Sequence, residues 1–454
     1  MLFSNSLAVL ALSLSILLIG INSQSAWLFW LAGLLISAVL VSWAFSLWEV
    51  RRLSLSRSHR PEVGEDELLE ITLRISNRGR FSRHLLEVID EDPCATTPRS
   101  RPYPKRARKP LKVRLNELLD PSPPREAPAA REGGPAAFLI PSLEPGGQAV
   151  FSYRRGGLRR GIYGDWPGFF YSEGVIGLAR HASRVRPESR LVVLPSFVEL
   201  NSFPLVDSFL HPQETSHDFA PKGPGIDYFG VREFKPGDAL RHVHWRTTAR
   251  RGELVVKEFA REAGTALTIL LDNQEHGEPL GEGKARLDCC TRLAASVARY
   301  AHYAGHPVSL AAHKGRQAFM YDVPNFQAAL RWLAVLTPEG AAGCEQQVEN
   351  LRSELEPGSF LCCIFPAKPI DFDRLASALP PLCHLSLVFV DLRPSGHGSR
   401  LETAGSGAES LVSELIGSPF EGLFSVSLYR EGDDMKECLE RPLAVFGNSL
   451  ALKT

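Results

Sequence analysis

The residues best suited to chemistry crowd into one stretch, "GVREFKPGDALRHVHWRTTARRGELVVKEF", Gly230 to Phe259. It holds seven Lys and Arg, two His and four acids, in a chain whose 51 cations and 51 anions cancel. His242 and His244, beside Asp238, would suit zinc on a strand, where alternate residues share a face. On a helix, positions i and i+2 diverge and the pair is lost. Pro236 and Gly237 mark a turn, and Asp238 is placed to cap a helix from Ala239 to Arg251 that ends at Gly252. On that helix His242, Arg246 and Arg250 make a cationic stripe, while Leu240, Val243 and Thr247 face inward. Trp245 is expected to bury its indole between them. The cations either pair with Glu233, Asp238, Glu253, Glu258 and Glu262 in a fold-defining network, or present guanidinium forks from Arg232, Arg246 and Arg250 to an acidic partner or a phosphate. Within the network reading, Arg250 is the natural member because it adjoins the turn.

Asp272 is the second candidate. It ends the buried run "LTILL" and is followed by Asn273, Gln274, Glu275 and His276. No Gly-x-Ser-x-Gly, no Walker A loop and no forced Cys-His pairing accompanies either place. The eight Cys show no CxxC spacing. The vicinal pairs Cys289-Cys290 and Cys362-Cys363 read as small buried hydrophobes in a reduced compartment. A non-enzymatic protein without a cofactor is expected. The alternative is a metal-dependent hydrolase or nucleic-acid binder using 230–262, although near-neutral charge argues against a general polyanion binder.

The elements that must position these residues begin at a membrane. No charged side chain occurs from Met1 to Trp48, and two apolar runs, Leu2–Ile21 and Ala26–Trp48, flank "NSQS". Each has the roughly 20 residues that cross about 30 Å of hydrocarbon. Arg51, Arg52, Arg57 and Arg60 follow the second span, so the positive-inside rule puts both termini and the body in the cytoplasm, on an inner membrane. Trp27, Trp30, Trp43 and Trp48 lie near the span ends, where indoles favour the interface.

The expected organisation is two transmembrane helices over 1–48, a basic linker over 49–61, and a small β-sandwich over 62–198. Within the sandwich, "LLEITLRISN", "HLLEVID", "GGQAVFSYRR" and "SRLVVLPSF" read as strands. A Pro- and Arg-rich mobile insert occupies 93–135, and its "KRARK" run reads as a solvated basic loop or a lipid contact. A linker spans 199–229, and the cationic segment spans 230–262. From 263 to 454, "LTILL", "PVSLAAH", "SFLCCIFP", "HLSLVFVD" and "LFSVSLY" alternate with helical segments, as in a parallel sheet covered on both faces. Ligands in such sheets bind beyond the carboxyl ends of the strands, where Asp272 and Asp391 would lie.

The cationic segment resembles the signature of the bacterial domain of unknown function family fifty-eight. The resemblance is carried by Gly230, Arg232, Glu233, Phe234, Pro236, Gly237, Asp238, Arg241, Val243, His244, Trp245, Ala249, Arg250, Gly252 and Glu253. It implies a membrane hairpin, a β-domain and a von Willebrand factor A-like, Rossmann-like α/β domain. It also implies a MoxR-type AAA+ ATPase as partner, and therefore an adaptor or scaffold in chaperone-like assembly or remodelling. Von Willebrand factor A domains often carry Asp-x-Ser-x-Ser after the first strand, binding a divalent ion through a carboxylate and two hydroxyls. Here Gln274 and His276 replace both hydroxyls, so Asp272 is a weak magnesium candidate.

Overall fold

The computed structural model describes residues 2–94, 134–173, 177–210, 228–233, 243–259, 266–274, 282–355, 359–367, 370–380, 383–392 and 424–446. Most of the insert 93–135 lies outside these residues. The chain divides into two units, Met1–Leu194 and Pro195–Thr454.

In the first unit the uncharged N-terminus forms two helices, α1 (Leu2–Ser23) and α2 (Ala26–Glu49), joined at Gln24. Both are long and apolar enough to cross a membrane. Their sides expose apolar chains such as Leu18, Trp30, Leu34 and Leu40, which water would not tolerate in such number. The last turns of α2 differ. Ser42, Ser46 and Glu49 are buried at helical spacing. Ser42 accepts from Ala179 N–H (3.2 Å), Ser46 bonds His181 Nδ1 (2.8 Å), and Glu49 accepts from His84 N–H (2.9 Å).

Ten strands follow: β1 (Leu53–His59), β2 (Glu62–Gly64), β3 (Leu69–Asn77), β4 (Arg83–Asp90), β5 (Ala136–Leu143), β6 (Gln148–Arg155), β7 (Gly161–Gly164), β8 (Gly168–Ser172), β9 (His181–Val185) and β10 (Arg190–Leu194). They make sheets of order β1-β3-β6, β5-β4-β8-β9 and β2-β10-β7. Leu69, Ile71, Leu73 and Ile75 alternate inward along β3 and meet Leu86, Val88 and Phe170 of the four-stranded sheet in one core. The expected linker 49–61 is corrected here. Leu53 and Leu55 join that core, and β1 pairs antiparallel with β3 along its whole length. Its alternation of leucine and serine was masked by the arginines around it.

Arg57 is the clearest case. Its side chain is fully buried, ion-paired with Asp90 and stacked 3.9 Å over the Trp166 ring. Its Nη1 donates to Trp166 O (3.2 Å), and Tyr153 Oη donates to Asp90 Oδ2 (2.6 Å). Burial and the Asp90 carboxylate push the Tyr153 hydroxyl up, which keeps it a donor. Arg57 therefore builds the sandwich and does not belong to the exposed cations after α2.

The second unit is built on a seven-stranded sheet of β13 (Leu267–Leu271), β14 (Val308–Lys314), β15 (Gln317–Val323), β16 (Phe360–Pro366), β17 (His384–Asp391), β18 (Phe424–Arg430) and β19 (Ala444–Phe446). The order is β15-β14-β13-β16-β17-β18-β19, parallel inside and antiparallel at both edges. Its helices are α3 (Pro204–Leu210), α4 (Trp245–Arg251), α5 (Glu282–Tyr303), α6 (Phe326–Val335), α7 (Cys344–Leu351), α8 (Phe372–Ala378) and α9 (Met435–Glu440). Leu270, Cys363 and Leu387 pack with Val348 of α7 and Leu375 of α8. Every residue of β16 is buried, so both faces are covered. Six of the eight cysteines are buried, and burial pushes Cys289 and Cys362 up to about 12. The stretch 199–229 is not wholly a linker, since it contributes α3 and the start of a strand at Tyr228.

Replacing Arg57 by Met leaves the Asp90 carboxylate buried without its cation. Loss of one partner of a buried pair costs about 3–5 kcal/mol. Urea unfolding of the detergent-solubilised chain should show that loss, and a change below about 1 kcal/mol would contradict the role assigned to the pair.

Candidate functional site

Two places carry the residues singled out by sequence. The first is a ribbon of β11 (Tyr228–Glu233) and β12 (Val255–Phe259), with Arg232 opposite Val256 and Glu233 opposite Val255. Asp238 and Arg241 lie outside the described residues. The helix expected from Ala239 begins at Trp245 instead. Val243 precedes it as a β-bridge to Val256, and His244 N–H donates to Val255 O (2.8 Å). Val243 is buried, as expected, but from an extended segment. His244 takes the capping position: its Nδ1 accepts from Thr247 N–H (3.2 Å) and lies 2.8 Å from Thr247 Oγ1. That nitrogen is committed to the cap, which weakens the zinc reading of the His pair. Gly252 ends the helix at φ 74°, a left-handed conformation that glycine adopts without a Cβ penalty.

The shift of the helix start changes what faces out. Trp245 becomes the first helical residue and is 64% exposed, against the expectation of burial. Arg246, Arg250, Arg251 and Glu253 are exposed too, and α4 has no buried residue. Of the acids expected in the network, only Glu253 has a described side chain; those of Glu233, Asp238, Glu258 and Glu262 lie outside the described residues. Arg232, Arg246, Arg250 and Trp245 thus stand on or beside one short ribbon, and what they can offer is cationic and aromatic contact.

The second place is the switch point of the large sheet. The chain passes from β13 to β14 on one side and returns to β16 on the other, so the end of β13 is a topological switch point. Asp272 and Asn273 sit there, 1% and 2% exposed. Asp272 Oδ1 accepts from Gln274 N–H (2.9 Å) and Gln347 Nε2 (2.7 Å). Asn273 donates to the carbonyls of His313 (2.7 Å) and Thr337 (3.1 Å) and accepts from His313 N–H (3.1 Å). Gly340 N–H closes the clasp on Asn273 O (2.9 Å). Arg286 Nη2 donates to Gln274 O (3.1 Å). A hard divalent ion needs several free oxygens. Here Gln347 donates to the Asp272 carboxylate and Arg286 to the Gln274 carbonyl, so both oxygens are already engaged. Asn273, His313, Gln347 and Gly340 come from four separate segments, and no local pattern in the sequence joins them.

His313 is fully buried, and burial holds it below its ordinary value, with Asp272 opposing. A depressed folded-state value means that the unfolded chain binds the proton more readily below about pH 6.5. The stability from burying neutral His313 is therefore complete above that pH and is lost as pH falls toward the folded-state value. His306 and His384 are depressed by burial as well. The melting temperature of the solubilised chain should fall between pH 7.5 and 5.5 (roughly one unit either side of the ordinary histidine value), and His313→Gln should make the fall shallower. An unchanged slope would remove His313 from this role.

No curated protein matches the chain. Solved structures give distant likenesses. An exo β-N-acetylglucosaminidase from Vibrio harveyi, in complex with N-acetylglucosamine, is 9% identical over 83% of this chain and 81% of that one, with a TM-score of 0.21. An inactive mutant of the same enzyme is 6% identical at the same coverage and score. A Paenibacillus cycloisomaltooligosaccharide glucanotransferase is 10% identical over 83% of this chain and 53% of that one, with a TM-score of 0.14. Likeness at that level carries no argument about this protein. The family model described as "Protein of unknown function DUF58" matches residues 230–356, from β11 through the ribbon, the switch point and α7. That segment, which holds both candidate places, is similar to the DUF58 family.

Proposed function

We propose that the protein is a membrane-anchored, non-enzymatic adaptor whose body lies in the cytoplasm. In this reading it works with a MoxR-type AAA+ ATPase in assembly or remodelling of other proteins. The observation that carries it is α4, where an exposed Trp245 stands with exposed Arg246 and Arg250 on a helix that buries nothing. Trp and Arg are the residues most enriched where partners bind tightly. Two further features support the reading. Arg51, Arg52 and Arg60 remain exposed after the second apolar helix, which favours a cytoplasmic body. Five parallel strands between antiparallel edges favour a von Willebrand factor A-like unit. In such a unit Asp272 serves as a structural acceptor, not a metal ligand, and the Gln347 bond supports this.

Charge reversal of Arg246 and Arg250 together should leave stability within about 1 kcal/mol, as for exposed positions. Crosslinking and mass spectrometry of membranes should then show the ATPase captured by the native chain and lost from the variant. Trp245→Ala should behave the same way. A stable variant that still captures the ATPase normally would overturn the docking role. Magnesium or manganese should not raise the melting temperature, whereas one-site binding at a hundredfold excess over Kd would add about 2.7 kcal/mol. A saturable rise abolished by Asp272→Ala would restore the metal reading.

A further inference from the structure

The turn between β3 and β4, "NRGRFSR", lies against the end of α2. Asn77, 1% exposed, fixes its shape. The amide donates to the carbonyls of Phe81 (2.8 Å), Leu143 (3.0 Å) and Glu144 (3.2 Å) and accepts from Gly79 N–H (2.9 Å). Gly79 leaves room for Arg83, because a Cβ there would come within 2.8 Å of Arg83 Nη2. Arg83 is 2% exposed and stacks 3.9 Å over the Trp48 ring. Phe81 packs on Trp48 at 5.5 Å yet remains 62% exposed. Arg78 N–H donates to Arg52 O (2.9 Å), so turn and helix end are tied together. The result is an outward aromatic ring flanked by the exposed Arg51, Arg52, Arg78 and Arg80, with Glu144 on the adjoining turn as the nearby exposed acid.

We infer that this collar binds the headgroups of anionic phospholipids, with Phe81 seated at the hydrocarbon edge. The inference rests on reading α2 as a membrane span. The 24 residues of α2 rise about 36 Å against a hydrocarbon core of roughly 30 Å, so its C-terminal end, where it meets the sandwich, lies at headgroup depth. That is the depth of Trp48, Phe81 and the four arginines. Guanidinium groups bind phosphate oxygens in forks, and aromatic rings favour this layer. The Asn77 clamp holds the turn in place before lipid arrives, which lowers the ordering cost of binding.

The test uses the full chain in neutral detergent, titrated with short-chain phosphatidylglycerol, short-chain phosphatidylcholine or inorganic phosphate, with melting temperature as readout. Phosphatidylglycerol should give a saturable rise that weakens with salt. Each arginine at an anionic surface strengthens binding about fivefold, so Arg78→Ala with Arg80→Ala should weaken the apparent affinity about 25-fold. The lipid-free melting temperature of the double variant should stay at the native value, and Phe81→Ala, which spares every cation, should weaken the lipid response alone. An equal rise with phosphatidylcholine or with inorganic phosphate would overturn the inference, as would full affinity in the double variant. Insertion into phosphatidylcholine nanodiscs checks the span separately. A chain that inserts but shows no anionic preference refutes the collar alone, and one that fails to insert refutes the span on which it rests.

Discussion

The first unit depends on how an apolar helix is handed over to a β-sandwich. A span that ends in water needs nothing from the domain after it, but α2 does not end that way. Its last two turns place Ser42, Ser46 and Glu49 on one face, and each meets a polar group of the sandwich. A buried carboxylate is costly unless it accepts hydrogen bonds, and Glu49 accepts one from the backbone of β4. The helix end is thereby fixed in both rotation and height. The stacking of Arg83 on Trp48 adds to this, and burial lowers the Arg83 guanidinium while the Glu49 charge opposes that shift.

The second unit solves a related problem at the switch point. Strands running apart on either side of β13 leave backbone groups at its end without ladder partners, and buried groups of that kind must be satisfied. Asn273 does so with one side chain, bonding both the carbonyl and the N–H of His313 as a continuing strand would. Gln347 then covers Asp272 from α7. A crevice that serves as a ligand site in other sheets is closed here by the chain's own amides.

Long, strongly patterned elements were legible in the sequence. The absence of charge before Glu49 gave both apolar helices nearly to the residue, and the runs at Leu267, Phe360 and His384 gave the centre of the parallel sheet. Short edge strands such as β7 and β9 were missed, since a few half-buried residues carry little alternation. β15 and α7 were missed because their apolar faces are narrow and interrupted. The candidate site was legible in part. Gly252 followed from local rules, but the register of α4 did not. Local propensity favoured Asp238 as a cap. The bridge from Val243 to Val256, a tertiary pairing, instead holds Val243 in extended structure, and the observed helix starts at Trp245.

That shift of register also explains how a chain with no net charge can present a cationic face. Salt screens exposed charges beyond about a Debye length, roughly 8–10 Å at physiological ionic strength, and no net charge adds a long-range field. Long-range steering is therefore weak, and specificity must come from short-range contact. A helix that turned Trp245 inward would have left Arg246 and Arg250 as solvated charges worth little to a partner. With the indole outward, the guanidinium groups lie beside an apolar surface that a partner can desolvate, and charge–charge contacts strengthen as water is removed. In the proposed docking, the exposed indole is what makes the neighbouring arginines useful, and the backbone pairing of Val243 accompanies that exposure.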